Sequence, residues 1–242
     1  YGMLVSQLFE YEGLKMNAVR DVIISTVVPS VLYTMQHMSQ KYFKKRAIVV
    51  ESGVKTGFIV KYDNPKTVGA DRIVNAVSAY KKYGGPLIII DFGTATTFCA
   101  ITENSEYLGG TIAPGLKIAS EALFQKTAML PKVELEEPGH AICKNTIQSM
   151  QSGLVYGHMG MVEFIVKKAE LEEMSTGERP VKVIATGGLA TMIKSGVNCI
   201  DCVDRLLTLE GLEMIYRKNR RTGRHSSHGS KDKNKKITNE NE

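Results

Sequence analysis

The segment Leu87-Ile88-Ile89-Ile90-Asp91-Phe92-Gly93-Thr94-Ala95-Thr96-Thr97-Phe98 decides how the chain is read. Asp-Phe-Gly is the triplet that holds magnesium in protein kinases, where it is accompanied by an HRD catalytic loop upstream and an APE downstream. Neither string occurs in the 242 residues. The flanks give a different answer. Pro86 to Ile90 is an apolar, β-branched run that predicts a buried strand delivering a carboxylate to its end. Thr94 to Phe98 is again β-branched and aromatic, so the segment predicts strand, tight turn over Asp91 to Thr94, and strand. Gly93 would supply a backbone conformation that other residues resist.

Around this hairpin the composition is that of a globular chain, 43% hydrophobic and long enough for one large or two modest domains. No stretch reaches the roughly 18 apolar residues of a membrane span, and the start lacks a charged and then apolar leader pattern. A cytoplasmic location is the expectation. The cysteines are at 99, 143, 199 and 202; Cys199 and Cys202 form a CxxC, but without a second pair or a flanking histidine it does not predict zinc or redox work. The net charge of +6 is localised. From Arg217 to Glu242 there are nine Lys/Arg and three Asp/Glu, which leaves 22 of the 31 basic and 22 of the 25 acidic residues in a neutral body. Residues 217–242 carry too little apolar surface to offset their ordering entropy and predict a basic disordered tail, with a nonspecific polyanion contact as the alternative.

Along the chain, Met3, Leu4, Leu8 and Phe9 stand at helical spacing, residues 21–30 read as a strand ended by Pro29, Val31 to Phe43 as a helix and Ala47 to Val50 as a short strand. GFIVKYDNPKTVGADRIVNAVSAYKKYGG carries a strand, a Pro- and Gly-punctuated loop, and a helix from about Asp71 to Lys82. A boundary falls near Gly84-Gly85-Pro86. Beyond the hairpin come an extended GGTIAPG segment, a helix over Leu116 to Phe124, a loop with Pro131 and Pro138, helices over Asn145 to Gly157 and Met159 to Met174, a strand at Val181 to Ala185 and closing helices. Strands alternating with helices predict an α/β architecture.

Four Gly- or Thr-rich turns stand where a strand ends or a helix begins: residues 69–72 (GADR), 91–97 (DFGTATT), 109–115 (GGTIAPG) and 185–190 (ATGGLA). Such points let backbone amides approach an anion, and helix N-termini favour one. GxxxxGK[ST] and GxGxxG are absent, so phosphate would be held in another way. Asp91 beside the hydroxyls of Thr94, Thr96 and Thr97 offers a carboxylate for a cation and donors for phosphate oxygens. In GADR, Asp71 beside Arg72 reads either as an N-cap with a surface arginine or as a general base next to a guanidinium that pins a substrate carboxylate. His140 and His158 read as surface or capping residues, Met150, Met159 and Met161 as core or interface filler, and Lys167 and Lys168 as a solvated helix face.

Taken together, YDNPKTVGADR, IIDFGTATTF, GGTIAPG, NTIQSMQSG and VIATGGLA, in this order, resemble the type III pantothenate kinase family over about residues 20–216. The resemblance implies the acetate and sugar kinase, Hsp70 and actin type of α/β fold, two ribonuclease H-like halves with nucleotide between them. Residues 1–84 would be the first half, 85–216 the second and 217–242 the tail. It implies phosphorylation of pantothenate from ATP in the first step of coenzyme A synthesis, with magnesium, a monovalent cation such as potassium or ammonium, and a homodimer. Residue by residue, Asp71 would deprotonate the primary hydroxyl of pantothenate. Tyr62, Gly69, Ala70, Asp71, Arg72 and Thr146 would line the pantothenate site, Asp91 would hold the monovalent cation, Thr94 would contact ATP phosphate, and Gly187 and Gly188 would lie against the adenosine.

The family's opening DxGNT phosphate loop has no counterpart in this sequence, which begins at Tyr1. The simplest expectation is a first half cut short at its N-terminus, with ATP held weakly by the chain as given. Proteins resembling this family have also been described as Bvg accessory factors linked to transcription, so a non-catalytic binding module is the alternative function. A further sugar or acetate kinase would not account for the combined YDNPKTVGADR and NTIQSMQSG strings.

Overall fold

The computed structural model describes residues 1–51, 54–174 and 179–223. The chain opens with α1 (Gly2–Tyr11), the periodic segment expected there. Only two residues of the expected 21–30 strand pair, as β1 (Ile23–Ile24), because Pro29 opens α2 (Pro29–Met38) instead of ending a strand. Proline suits the first helical turn, where its fixed φ is helical and its missing N–H would have had no partner. β2 (Ile48–Val49) runs parallel to β1 in a small two-stranded sheet. Then come β3 (Ile59–Val60), α3 (Ala70–Tyr83), β4 (Leu87–Phe92), β5 (Ala95–Ile101) and β6 (Glu106–Pro114). The rest of the chain supplies α4 (Leu116–Lys126), α5 (Thr146–Glu173), β7 (Lys182–Gly187), α6 (Ala190–Ser195), β8 (Cys202–Val203) and α7 (Leu207–Gly223).

The six-stranded sheet has the order β3-β6-β5-β4-β7-β8, with β5 antiparallel to both β4 and β6, β3 parallel to β6, and β7 and β8 parallel to β4. β4 is central and buried on both faces, which is why its sequence is an unbroken aliphatic run rather than an alternation. Its side chains still divide by face. Ile88, Ile90 and Phe92 pack with Phe98 into the core beneath α4, α5 and α6, whereas Leu87 and Ile89 join Cys99, Ile101 and Tyr107 in the core beneath α3. The carboxylate of Asp91 therefore belongs to the α3 face. α7 packs on α3 from outside, and Lys82 on α3 bonds Asp204 after β8 and Glu210 on α7. The connection at Gly84-Gly85-Pro86 thus lies inside one packed assembly: β3, before it, pairs with β6, after it.

Two expectations change. A junction between two helices was expected at His158, after Gly157, but α5 is one helix of 28 residues capped by Asn145, whose side chain accepts from Gln148 N. Met150, Leu154, Val155, Met159, Val162 and Val166 form one buried stripe along it. A helical glycine costs about 1 kcal/mol relative to alanine, while each large aliphatic side chain buried contributes roughly 1.5–3 kcal/mol. The stripe outweighs the glycines. The basic tail expected from residue 217 is helical over its first residues, since α7 continues through Gly223; residues 224–242 lie outside the described residues. Among the described residues no helix is long and apolar enough to cross a membrane.

Candidate active site

The hairpin expected at the DFG segment forms. Its register sets Asp91 opposite Thr97 and Phe92 opposite Thr96, so side chains alternate between the two faces of the sheet. Thr96 turns away from Asp91: its buried hydroxyl meets His158 Nε2 at 3.0 Å, beneath the ring of Phe92. His158 is accordingly no surface or capping residue; it is 8% exposed on the inner stripe of α5, and burial lowers its pKa so that the neutral ring is favoured. Thr94 is exposed in the turn. Gly93 does not adopt the left-handed conformation expected of it. That demand falls on Gly187, with φ +93°, where a Cβ would stand 2.6 Å from the carbonyl oxygen of Phe92. A Cβ on Gly115 would stand 2.3 Å from the carbonyl oxygen of Thr94. The GGTIAPG and ATGGLA segments therefore both close on the DFG turn.

The GADR segment closes on it from the α3 face. Gly69 is the N-cap of α3, not Asp71, and Asp71 occupies the first turn with Oδ1 accepting from Arg72 N at 2.9 Å. Arg72 is not a surface residue. Only 6% exposed, it passes beneath the sheet, where Nε donates to Cys99 Sγ at 3.3 Å and Cζ stands 5.7 Å from the Tyr107 ring centre. Burial works against its charge, but Cys99, Tyr107 and Tyr62 outweigh it and raise the guanidinium pKa. Arg72 Nη2 is buried without a hydrogen-bond partner and lies against Gly110. A buried N–H with no acceptor costs about 1–3 kcal/mol, so this donor retains the capacity for one further hydrogen bond.

Asp91 is held by Asn75, one helical turn beyond Asp71, whose Nδ2 donates to Asp91 Oδ2 at 3.0 Å. Burial raises the pKa of Asp91, the Asn75 hydrogen bond opposes that rise, and the nearby negative Asp71 adds to it. Two carboxylates thus share one corner of the molecule with a single buried guanidinium.

Of the candidate residues, Gly69, Ala70, Asp71 and Arg72 form the start of α3, and Tyr62 stands close enough to Arg72 to favour its charge without a hydrogen bond of normal geometry. Asp91, Thr94 and Gly187 meet at the carboxyl ends of β4 and β7, with Gly188 exposed beside them in open space. Thr146 does not join them. It is the exposed first residue of α5, on the other face of the sheet and twelve residues before His158, about 18 Å along the helix axis. Asn75, Cys99 and His158 were missed as members of the site or its support. Asn75 was within reach, since positions 71 and 75 share one face of any helix; Cys99 and His158 depend on pairings that cross the sheet.

The model of the family described as type III pantothenate kinase matches residues 1–168. The chain belongs to the type III pantothenate kinase family. Among solved structures it resembles that of a conserved Campylobacter jejuni protein assigned to the Baf family of transcriptional activators, at 19% identity and a TM-score of 0.57, over 88% of this chain and 89% of that one. At that identity the likeness is one of fold.

Proposed function

We propose that the chain transfers the terminal phosphoryl group of ATP to the primary hydroxyl of pantothenate, giving 4'-phosphopantothenate for coenzyme A synthesis. The observation that carries this reading is that Asp71 and Arg72, whose buried Nη2 has no hydrogen-bond partner, are adjacent in the first turn of α3. Arg72 anchors the carboxylate of pantothenate, and Asp71 takes the proton from its hydroxyl as the bond to phosphorus forms. Tyr62, close to Arg72, would line the same site. The backbone of the DFG turn, with Thr94, faces the phosphates, and the open side of Gly188, next to Gly187, accepts adenosine. Phosphoryl transfer needs little more than positioning and charge neutralisation.

The donors present fit the cations this chemistry uses. Burial and Asp71 both disfavour the charge on Asp91, and a bound cation would relieve that penalty. Asp91 would hold potassium or ammonium, and the Asp71–Asp91 corner offers the one or two carboxylates that magnesium takes alongside substrate phosphates. Magnesium there would neutralise charge on the phosphate oxygens.

The reading also includes a cytoplasmic location, a homodimer, and the division into two ribonuclease H-like halves at residue 84 with the first cut short. A pair would cover Ile118 and Phe124 on α4 and Ile147 and Phe164 on α5, which are exposed. It would also give Thr146 a route to a pantothenate site that its own chain does not offer it. Light scattering of the purified chain tests this, and a monomer at working concentration contradicts it.

The direct test of activity is ATP- and pantothenate-dependent product formation, with and without potassium, on this chain and on the chain extended by a DxGNT segment. Turnover in either supports the kinase. Inactivity of both, with the proteins folded, favours the second reading, a transcription-accessory protein like the Baf family neighbour. That reading predicts salt-dependent DNA binding lost on removal of residues 224–242.

A further inference from the structure

We infer that Cys99 is a positioning residue for the cation of the site, holding Arg72 so that its free Nη2 faces the anionic end of the substrate. The identity of that substrate rests on the reading above; the positioning role does not. Cys99 lies in the middle of β5, between Ile89 on β4 and Gly110 on β6, and its side chain points into the α3 face. Two donors converge on its sulfur, Arg72 Nε and the Tyr107 hydroxyl, each at 3.3 Å. All three residues are buried, Cys99 at 3% exposure and Tyr107 at 0%. Tyr107 remains a protonated donor, because burial first, and Cys99 second, push its pKa upward.

The choice of sulfur has a consequence for charge. Among the described residues Arg72 pairs with no carboxylate. A buried cation without an anion is costly, and it persists where it has a ligand to receive. A thiol fixes the direction of the guanidinium through a weak acceptor and leaves its positive charge to the substrate. The same register explains the aim: Cys99 pairs with Gly110, and Nη2 lies against Gly110, so fixing Nε at one residue of the pair directs Nη2 across the other. Nη2 is itself buried beside Gly110, with no acceptor supplied among the described residues.

The test uses Cys99→Ala, which removes the acceptor, and Cys99→Ser, which replaces it by a hydroxyl. The first readout is the Arg72 Nε–H resonance in nitrogen-15-labelled, ligand-free protein, assigned with Arg72→Lys. The inference expects a protected signal in the wild type and in Cys99→Ser, and its loss to solvent exchange in Cys99→Ala. The second readout is kinetic: Cys99→Ala raises KM for pantothenate about tenfold, as expected for losing the orientation of one charged hydrogen bond, while kcat and KM for ATP stay within about twofold. Cys99→Ser recovers most of the loss. An unchanged Nε–H signal in Cys99→Ala overturns the inference whatever the substrate, and so does a lost signal with unchanged KM. If the signal behaves as expected but wild type phosphorylates no pantothenate, the proposed function fails and the positioning of Arg72 stands.

Discussion

Asn75 donates through Nδ2 to Asp91 at 3.0 Å and accepts through Oδ1 from Thr208 Oγ1 at 2.7 Å, so one buried amide joins α3, β4 and α7 behind the two carboxylates of the site. Asp91 reaches its place from the end of a strand and Asp71 from the start of a helix. Asn75 makes their separation a property of the packed core.

Replacing Asn75 by alanine leaves Asp91 buried without its donor and Thr208 without its acceptor. The expected loss is about 1–3 kcal/mol of stability, or several degrees in Tm for a chain of this size. Calorimetry checks it. A variant that melts with the wild type would mean that the link carries no stability.

Asp91→Asn acts in the opposite direction. The folded-state pKa of Asp91 is raised, by burial first and by Asp71 next, with the Asn75 bond opposing the shift. The folded protein therefore holds this proton more tightly than the unfolded chain, and stability falls as pH rises from the ordinary carboxylate range through the raised value. A neutral amide keeps the Asn75 contact without that penalty. The ligand-free variant should melt higher than wild type at pH 7 yet lose its stimulation by potassium or ammonium, the trade expected of a functional residue. Stimulation that survives removes Asp91 from cation binding.

His158 predicts a pH dependence of stability. Burial lowers its folded-state pKa, and the groups facing it are Thr96 Oγ1 and the Phe92 ring, neither of which carries a charge. As pH falls through the free imidazole value of about 6.5, the unfolded chain binds a proton that the folded one resists. Stability is thus full above that range and declines below it. Urea midpoints at pH 7.5 and 5.5 should fall farther for wild type than for His158→Gln; equal falls would remove His158 as the source.

Much of this was legible before any coordinates. The hairpin at Asp91 and the start of α3 near Asp71 follow from local patterns, an aliphatic run ending in a carboxylate and a glycine ahead of an amphipathic helix. What failed depended on distant partners. The helix break expected between Gly157 and Met159 is absent because the sequence does not reveal that α5 packs into the core beneath the sheet, where a continuous stripe overrides local propensity. The direction of Arg72 was equally hidden: a helix start is a surface location by default, and only the β5–β6 register brings Cys99 and Gly110 beneath it. Gly93 was credited with a strain that Gly187 bears, since closeness to Phe92 arises from a strand nearly a hundred residues later.

The central claim is that Asp71 is the base of a phosphoryl transfer for which Arg72 holds the substrate. The most direct measurement compares Asp71→Asn with wild type, in the form of the chain that turns over, for kcat and for pantothenate affinity. The account predicts a loss of kcat of about 10²–10⁴-fold with affinity changed only a few-fold, because Arg72 still anchors the carboxylate. A variant that turns over at the wild-type rate would contradict it.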